Sequence, residues 1–543
     1  MNVDVPLTLF DDDPEQNDRL IGIPNARDRL KQDISVNRPT PDRPLLIRVH
    51  LQNFWKLTQV VKRAADWIGI SIPDRAPLTV DDPERLPELL REHIDQLKSD
   101  LAGGVLAIDD SDPVPMTVLG DIAARAKARP EERTHLLRLL GILADAAFAG
   151  PLTFHLDLSN VCNTDCIFCG LHSPLLRPGD EIEHGRRLTP DWESARLDAA
   201  LFDSLIDDLA DSGSGEDLLF TGEGEPLTHP DFARMVTAAK QRDLHLTVFT
   251  NGLLLNEEMS RLLVDRGVDL LYWSLSAGSS ETFRLVQPSQ PVNAFERTVG
   301  RVRRMIGMRD SQGLSKPRIV MAHVLIRQNA GDCMKVFRLA RDLGVEMVRF
   351  QLAHSCGPGF DELLLRQDEL KPAQEQIAMV QELAAQEGIT ILSNIDLQMQ
   401  AAGRNLEQGH TSDKWSSELI GESGCLAGWF FSRAFSDGTL SLCCHDRIVG
   451  DLNSNDFNEI WFSEHMRRIR RAARLADPEH DNPDLSRGDV GGPLFGPDCR
   501  TCGNYEVISR AMNDLKSMGF WPIVLREREE FREFNKLKQT DTV

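Results

Sequence analysis

Between Leu152 and Leu352 the chain repeats one pattern six times, a short apolar run followed by an amphipathic stretch. The runs are "LTFHLDL" (152–158), "DLLFTG" (217–222), "LHLTVFT" (244–250), "DLLYWSLS" (269–276), "RIVMAHVLI" (318–326) and "EMVRFQL" (346–352). Each is too short for a helix and rich in residues that suit a pleated surface, so each is read as a strand. Between them, "HPDFARMVTAAKQRD" and "NEEMSRLLVDRG" place apolar residues at helical spacing, the second stopping at Gly267. Six successive βα units predict parallel strands joined by right-handed crossovers, hence a barrel or an open α/β sheet. In either architecture the chemistry belongs at the C-terminal ends of the strands.

At 543 residues the chain exceeds what one core supports, so further domains are expected on both sides of this unit. Residues 1–148 carry helical runs at "QVVKRAADWIG" and "RTHLLRLLGILADAAFAG" around the Pro-rich "SIPDRAPLTVDDPERLP", and read as a mostly helical domain of unassigned role. The central unit spans 149–395, where "ITILSN" is one more βα element or a linker. A cysteine-bearing module covers 420–506, and a charged helical tail 507–543. Lys and Arg number 61 against 84 Asp and Glu, a net charge of -23, which disfavours nucleic acid as a partner. The Arg-dense "MRRIRRAARLA" from Met466 reads as a helix with a solvated face. The N-terminus lacks a signal-peptide pattern and no window approaches eighteen uninterrupted apolar residues, so a soluble cytoplasmic protein without membrane contact is expected.

Ten cysteines are too few for a secreted disulfide scaffold, and clustered cysteines in a reducing compartment bind metal or do chemistry. Cys162, Cys166 and Cys169 follow the first strand; Cys425, Cys443, Cys444, Cys499 and Cys502 come late; Cys333 and Cys356 stand apart. Three thiolates on one loop suit an iron-sulfur cluster with an open iron, or a zinc site completed by Asp165 or His172.

"CNTDCIFCG" resembles the C-x3-C-x2-C signature of the radical S-adenosylmethionine (radical SAM) enzymes. The resemblance implies a partial (β/α)6 TIM barrel in which Cys162, Cys166 and Cys169 hold a [4Fe-4S] cluster. The fourth iron of that cluster would be chelated by S-adenosylmethionine, with Phe168 by the adenine. "FTGEGEPLTHPD" is similar to the family's Gly-Gly-Glu-Pro stretch through Gly224, Glu225 and Pro226, with Glu223 where a second glycine is common. "FTNG" (Thr250, Asn251) and "SLSAGSSETF" (Ser274) are similar to further positions lining the S-adenosylmethionine site.

The late cysteines resemble the C-terminal auxiliary-cluster modules called SPASM or Twitch. That resemblance implies one auxiliary [4Fe-4S] cluster on Cys425, Cys443, Cys499 and Cys502, with Cys444 spare and a hairpin turning at Asp437-Gly438. A structural zinc site on the same cysteines is the alternative.

The implied reaction is reductive cleavage of S-adenosylmethionine to a 5'-deoxyadenosyl radical, which abstracts a hydrogen atom from a sugar- or cyclitol-like substrate in dehydrogenation or epimerisation. A flavodoxin- or ferredoxin-like partner would supply the electron. Modification of a ribosomally made peptide is the alternative substrate class, and a non-catalytic zinc-binding protein the alternative of another kind. Cys356, in "HSCGPG" past the sixth strand, is a candidate hydrogen-atom donor. His323 and Gln351 are candidates for the barrel interior, Arg327 is a candidate anion clamp, and Cys333 is read as packing.

Overall fold

The computed structural model describes residues 7–9, 25–36, 38–101, 104–182, 187–214, 216–353, 356, 359–393, 417–443, 447–475, 494, 499 and 502–540. In the N-terminal part, β1 (Leu7–Leu9), β2 (Leu45–Arg48) and β3 (Leu106–Asp109) pair in parallel in that order. Helices Leu57–Ile68, Leu86–Asp100, Val114–Ala128 and Arg133–Ala144 share a core with this sheet. The helices were expected and the sheet was not, because strands of three or four residues carry too few alternations to register as a period of two.

All six expected strands form: β4 (Thr153–Asp157), β5 (Asp217–Thr221), β6 (Leu246–Thr250), β7 (Leu270–Ser274), β8 (Arg318–Leu325) and β9 (Met347–Leu352). "ITILSN" supplies a seventh parallel strand, β10 (Thr390–Ser393), beside β9. Helices cover the outside of this partial barrel, so the strands read as nearly continuous apolar runs.

The sheet does not stop at β4. β11 (Phe431–Ala434) runs parallel to β4, with Phe431 opposite Thr153 and Arg433 opposite His155. β12 (Thr439–Ser441) and β13 (Ile448–Asp451) follow antiparallel, making one sheet in the order β10-β9-β8-β7-β6-β5-β4-β11-β12-β13. The expected hairpin turns at Gly438, whose φ of 87° suits glycine, while Asp437 Oδ1 accepts from the Thr439 N–H at 2.9 Å. At the β4–β11 seam Arg433 Nε donates to the buried Asp157 Oδ2 at 3.0 Å, so a charge-assisted pair locks the junction.

The helix Glu464–Leu475 corrects the solvated-face expectation. Arg467, Arg470, Arg471 and Arg474 are all buried. Arg470 lies 4.2 Å over the Trp461 ring and donates to Gly428 O at 2.7 Å. Arg474 Nε reaches Asp145 Oδ1 at 3.1 Å, and its Nη1 reaches Glu527 Oε2 at 2.5 Å. The C-terminal segment likewise is no free tail: Ile508, Leu515, Trp521 and Val524 complete the N-terminal core together with Ile420 and Trp429. Among the described residues no helix is long and apolar enough to cross a membrane.

Candidate active site

The loop after β4 brings Cys162, Cys166 and Cys169 to the wall of a cavity of about 310 Å3 at the C-terminal ends of the barrel strands. Phe168, Gly224, Glu225, Thr250, Asn251 and Ser274 line the same cavity, so every residue that the resemblance assigned to the S-adenosylmethionine site lies there. Gln351, expected in the barrel interior, lines it too, with Ser276 and Val324. Burial pushes the Cys166 thiol up to about 12, so it stays protonated until a metal displaces the proton. Among the described residues no three His, Cys, Asp or Glu side chains converge on a point that a single ion could fill. Of the two candidate fourth ligands for zinc, His172 Nε2 lies 2.8 Å from Glu223 O, and Asp165 Oδ2 accepts from the Ser289 N–H at 3.2 Å.

The loop after β5 is shaped by the cysteine loop itself. A Cβ on Gly224 would lie 2.5 Å from the Asn160 carbonyl carbon and 2.5 Å from Val161 O, so only glycine lets the two loops meet. Glu225, beside it, accepts at Oε1 from Thr250 Oγ1 at 2.8 Å and at Oε2 from the Asn251 N–H at 2.8 Å. Burial pushes its carboxyl up to about 7 in spite of these donors. Asn251 Nδ2 then reaches back to Asn163 Oδ1 at 2.7 Å. Glu225 therefore ties the ends of β5 and β6 to each other, and Asn251 ties both to the cysteine loop. Glu223, the departure from the family pattern, is buried and accepts from Trp192 Nε1 at 2.8 Å. The Trp192 ring packs 5.4 Å from that of His172, three residues beyond Cys169.

Residues 156–347 match the family model described as Radical SAM superfamily, and residues 425–485 match SPASM, an iron-sulfur cluster-binding domain. The chain thus carries a radical SAM domain followed by a SPASM region. Its radical SAM domain works with a [4Fe-4S] cluster and S-adenosylmethionine, and its SPASM region implies auxiliary iron-sulfur binding.

Similar proteins include the tungsten-containing aldehyde ferredoxin oxidoreductase cofactor-modifying protein of Pyrococcus furiosus, 28% identical over 194 residues, or 35% of this chain and 49% of that protein. The chain thus spans about half the length of this relative. The AdoMet-dependent heme synthase of Methanosarcina barkeri is 26% identical over 332 residues, 60% of this chain and 84% of that one. The PqqA peptide cyclase of Gluconobacter oxydans is 24% identical over 316 residues, 58% and 76%. Among solved structures, Streptococcus suis SuiB bound to S-adenosylmethionine aligns over 73% of this chain and 85% of that one, with 13% identity and a TM-score of 0.44.

In this radical SAM chain Cys425 packs at the border of the barrel core and the N-terminal core, and its N–H donates to Ala473 O at 2.9 Å. Cys499 and Cys502 join the N-terminal core, beyond the SPASM match. Cys443 follows β12, its N–H 3.5 Å from Ser441 Oγ, and Cys444 lies outside the described residues. Cys356 packs in a small apolar cluster with Phe168, Ile167 and Ala353, beside the cavity.

His323 faces the core, where burial pushes it down to about 4, and Arg327 Nε reaches Glu369 Oε2 at 3.1 Å. Cys333 is buried, its thiol pushed up to about 12 by burial. Gln287 escaped the sequence-based expectations altogether: its Nε2 reaches Cys166 Sγ at 3.2 Å across 121 positions of chain.

Proposed function

We propose that the protein is a radical SAM maturase that abstracts a hydrogen atom from a peptide substrate. The carrying observation is the meeting of Cys162, Cys166 and Cys169 with Glu225, Asn251 and Ser274 around one cavity. In this reading the three cysteines hold the cluster, and Phe168, Gly224, Glu225, Thr250, Asn251 and Ser274 form the S-adenosylmethionine site. Cys425, Cys443, Cys499 and Cys502 hold the auxiliary cluster. When bound, the reduced cluster and S-adenosylmethionine supply one 5'-deoxyadenosyl radical and one methionine per electron, and 5'-deoxyadenosine carries off the substrate hydrogen atom. The protein orients the substrate carbon and keeps water out. The auxiliary cluster would supply an acceptor for the substrate radical's electron, and a flavodoxin- or ferredoxin-like partner would supply the electron that reduces the cluster on Cys162, Cys166 and Cys169.

Among the described residues lining the cavity none is Lys or Arg. A phosphate-rich substrate such as the GTP named for the probable GTP 3',8-cyclase of Saccharolobus islandicus would lack a cationic clamp there. The neutral polar groups of Ser276 and Gln351 suit a peptide, the substrate named for the PqqA peptide cyclase. They also suit a polyol, which keeps the sugar-like substrate as the second reading.

Anaerobically purified protein is expected to be brown, to contain iron and sulfide, and to release methionine and 5'-deoxyadenosine under dithionite. A colourless protein holding only zinc sinks the reading. Deuterium delivered to 5'-deoxyadenosine from a deuterated peptide supports the peptide class, and delivery only from a deuterated polyol overturns it.

A further inference from the structure

The segment "VQPSQ" (286–290) lies along the cysteine loop. The helix Ser280–Val286 ends there because Pro288 keeps Gln287 out of the helical region, with φ of -131° and ψ of 77°. Val286 O accepts from the Ile167 N–H at 2.9 Å, Ser289 N donates to Asp165 Oδ2 at 3.2 Å, and Gln290 Nε2 donates to Asn163 O at 2.8 Å. Between these contacts Gln287 Nε2 donates to Cys166 Sγ at 3.2 Å. The Gln287 side chain is buried, and its Oε1 meets no donor among the described residues, so the sulfur contact alone orients the amide. Within the cysteine loop, Thr164 Oγ1 lies 3.3 Å from Cys162 Sγ and, more distantly, 3.9 Å from Cys166 Sγ, and the His172 N–H donates to Cys169 Sγ at 3.3 Å. Gln287 is thus a donor brought to a thiol from a separate element.

We propose that Gln287 is a positioning residue that raises the reduction potential of the cluster held by Cys162, Cys166 and Cys169, an inference that rests on the three-cysteine reading above. Reduction puts added negative charge on the ligating sulfurs, and an N–H aimed at one of them stabilises the reduced state more than the oxidised one. The donor sits on the segment that follows β7, whose end carries Ser274, so the strand that contributes to the S-adenosylmethionine site also sets how readily the cluster accepts an electron.

The test is a potentiometric EPR titration of the anaerobically purified holoprotein, following the cluster signal that S-adenosylmethionine perturbs. Gln287→Met keeps the side-chain length without an N–H. It is expected to lower the reduced-to-oxidised ratio about tenfold at fixed potential, which for one electron is a downward shift of about 59 mV. Gln290→Met loosens the same segment without touching sulfur and is expected to leave the midpoint unchanged. A Gln287→Met midpoint equal to that of the wild type overturns the proposal, as does an equal shift in Gln290→Met. Should Gln287→Met fail to assemble its cluster, the wild type with nitrogen-15 in its glutamine side-chain amides decides. Hyperfine coupling of that nitrogen to the reduced cluster is expected, and its absence overturns the proposal. A wild type with no signal that responds to S-adenosylmethionine overturns the three-cysteine reading instead.

Discussion

At Gly224 a single methyl group has nowhere to go, since it would overlap the Asn160 and Val161 backbone of the cysteine loop. Gly224→Ala is therefore expected to displace that loop and to lose the iron of the proposed three-cysteine cluster, while the circular dichroism stays that of the wild type. Iron analysis checks it, and wild-type iron content would show that the loop yields freely. The glycine itself was legible in the sequence through its place in "GEGEP", but not the reason for it, since the backbone it admits comes from the distant cysteine loop. The three cysteines were legible because close spacing of soft ligands has few other uses. Gln287 was not: one amide after a short helix carries no pattern, and its partner is distant in sequence. Glu223 was legible only as a departure from the family pattern, since its partner Trp192 lies in a segment without a recognisable motif.

Among the elements, the barrel strands were legible because burial on both faces forces long apolar runs, and the N-terminal strands were too short to show any. The arginine helix misled through its chemistry and not its spacing. Positions 467, 470, 471 and 474 fall on one helical face, as a core stripe would, and only their charge argued for water.

A smaller device holds the opposite end of the barrel from the cavity. Asp269, just before β7, accepts from the Leu246 N–H at the start of β6 at 2.9 Å, and from Lys240 and Lys316. Burial alone would push this carboxyl up, but these donors outweigh it and hold it down at about 2. The folded-state value lies below the ordinary 3.8, so the stabilisation is fully present above that pH and is lost as pH falls towards 2. Asp269→Asn is expected to cost about 2 kcal/mol at neutral pH and to flatten the acid limb of the stability curve over that window, as denaturant titrations at stepped pH would show. An unchanged acid limb would mean that other carboxylates dominate it.

Across the whole molecule, Arg474 joins three distant stretches of chain: Asp145 at the end of an N-terminal helix, its own helix, and Glu527 in the C-terminal helix. Asp145 has a φ of 54°, which asparagine tolerates, so Asp145→Asn removes the charge without adding backbone strain. Breaking this buried network is expected to destabilise the fold by about 3 kcal/mol, and adding Glu527→Gln should cost less than the sum of the two single changes. Equilibrium unfolding of the four proteins measures both, and strict additivity would show that the carboxylates do not share the guanidinium. The N-terminal core is closed by residues near 420–430 and 502–524. On a ribosome the stretch up to Ala144 emerges before the barrel, yet its apolar faces wait for partners made on the order of half a minute later at typical rates of synthesis. The barrel strands β4 to β10 are complete by Ser393 and can begin to pair during that interval, although their core also takes in Ala434, Phe457 and Trp461. This core is then begun before the barrel and sealed after it, and a chaperone that covers Phe54, Leu90 and Leu140 in the meantime would act before the late cysteines exist.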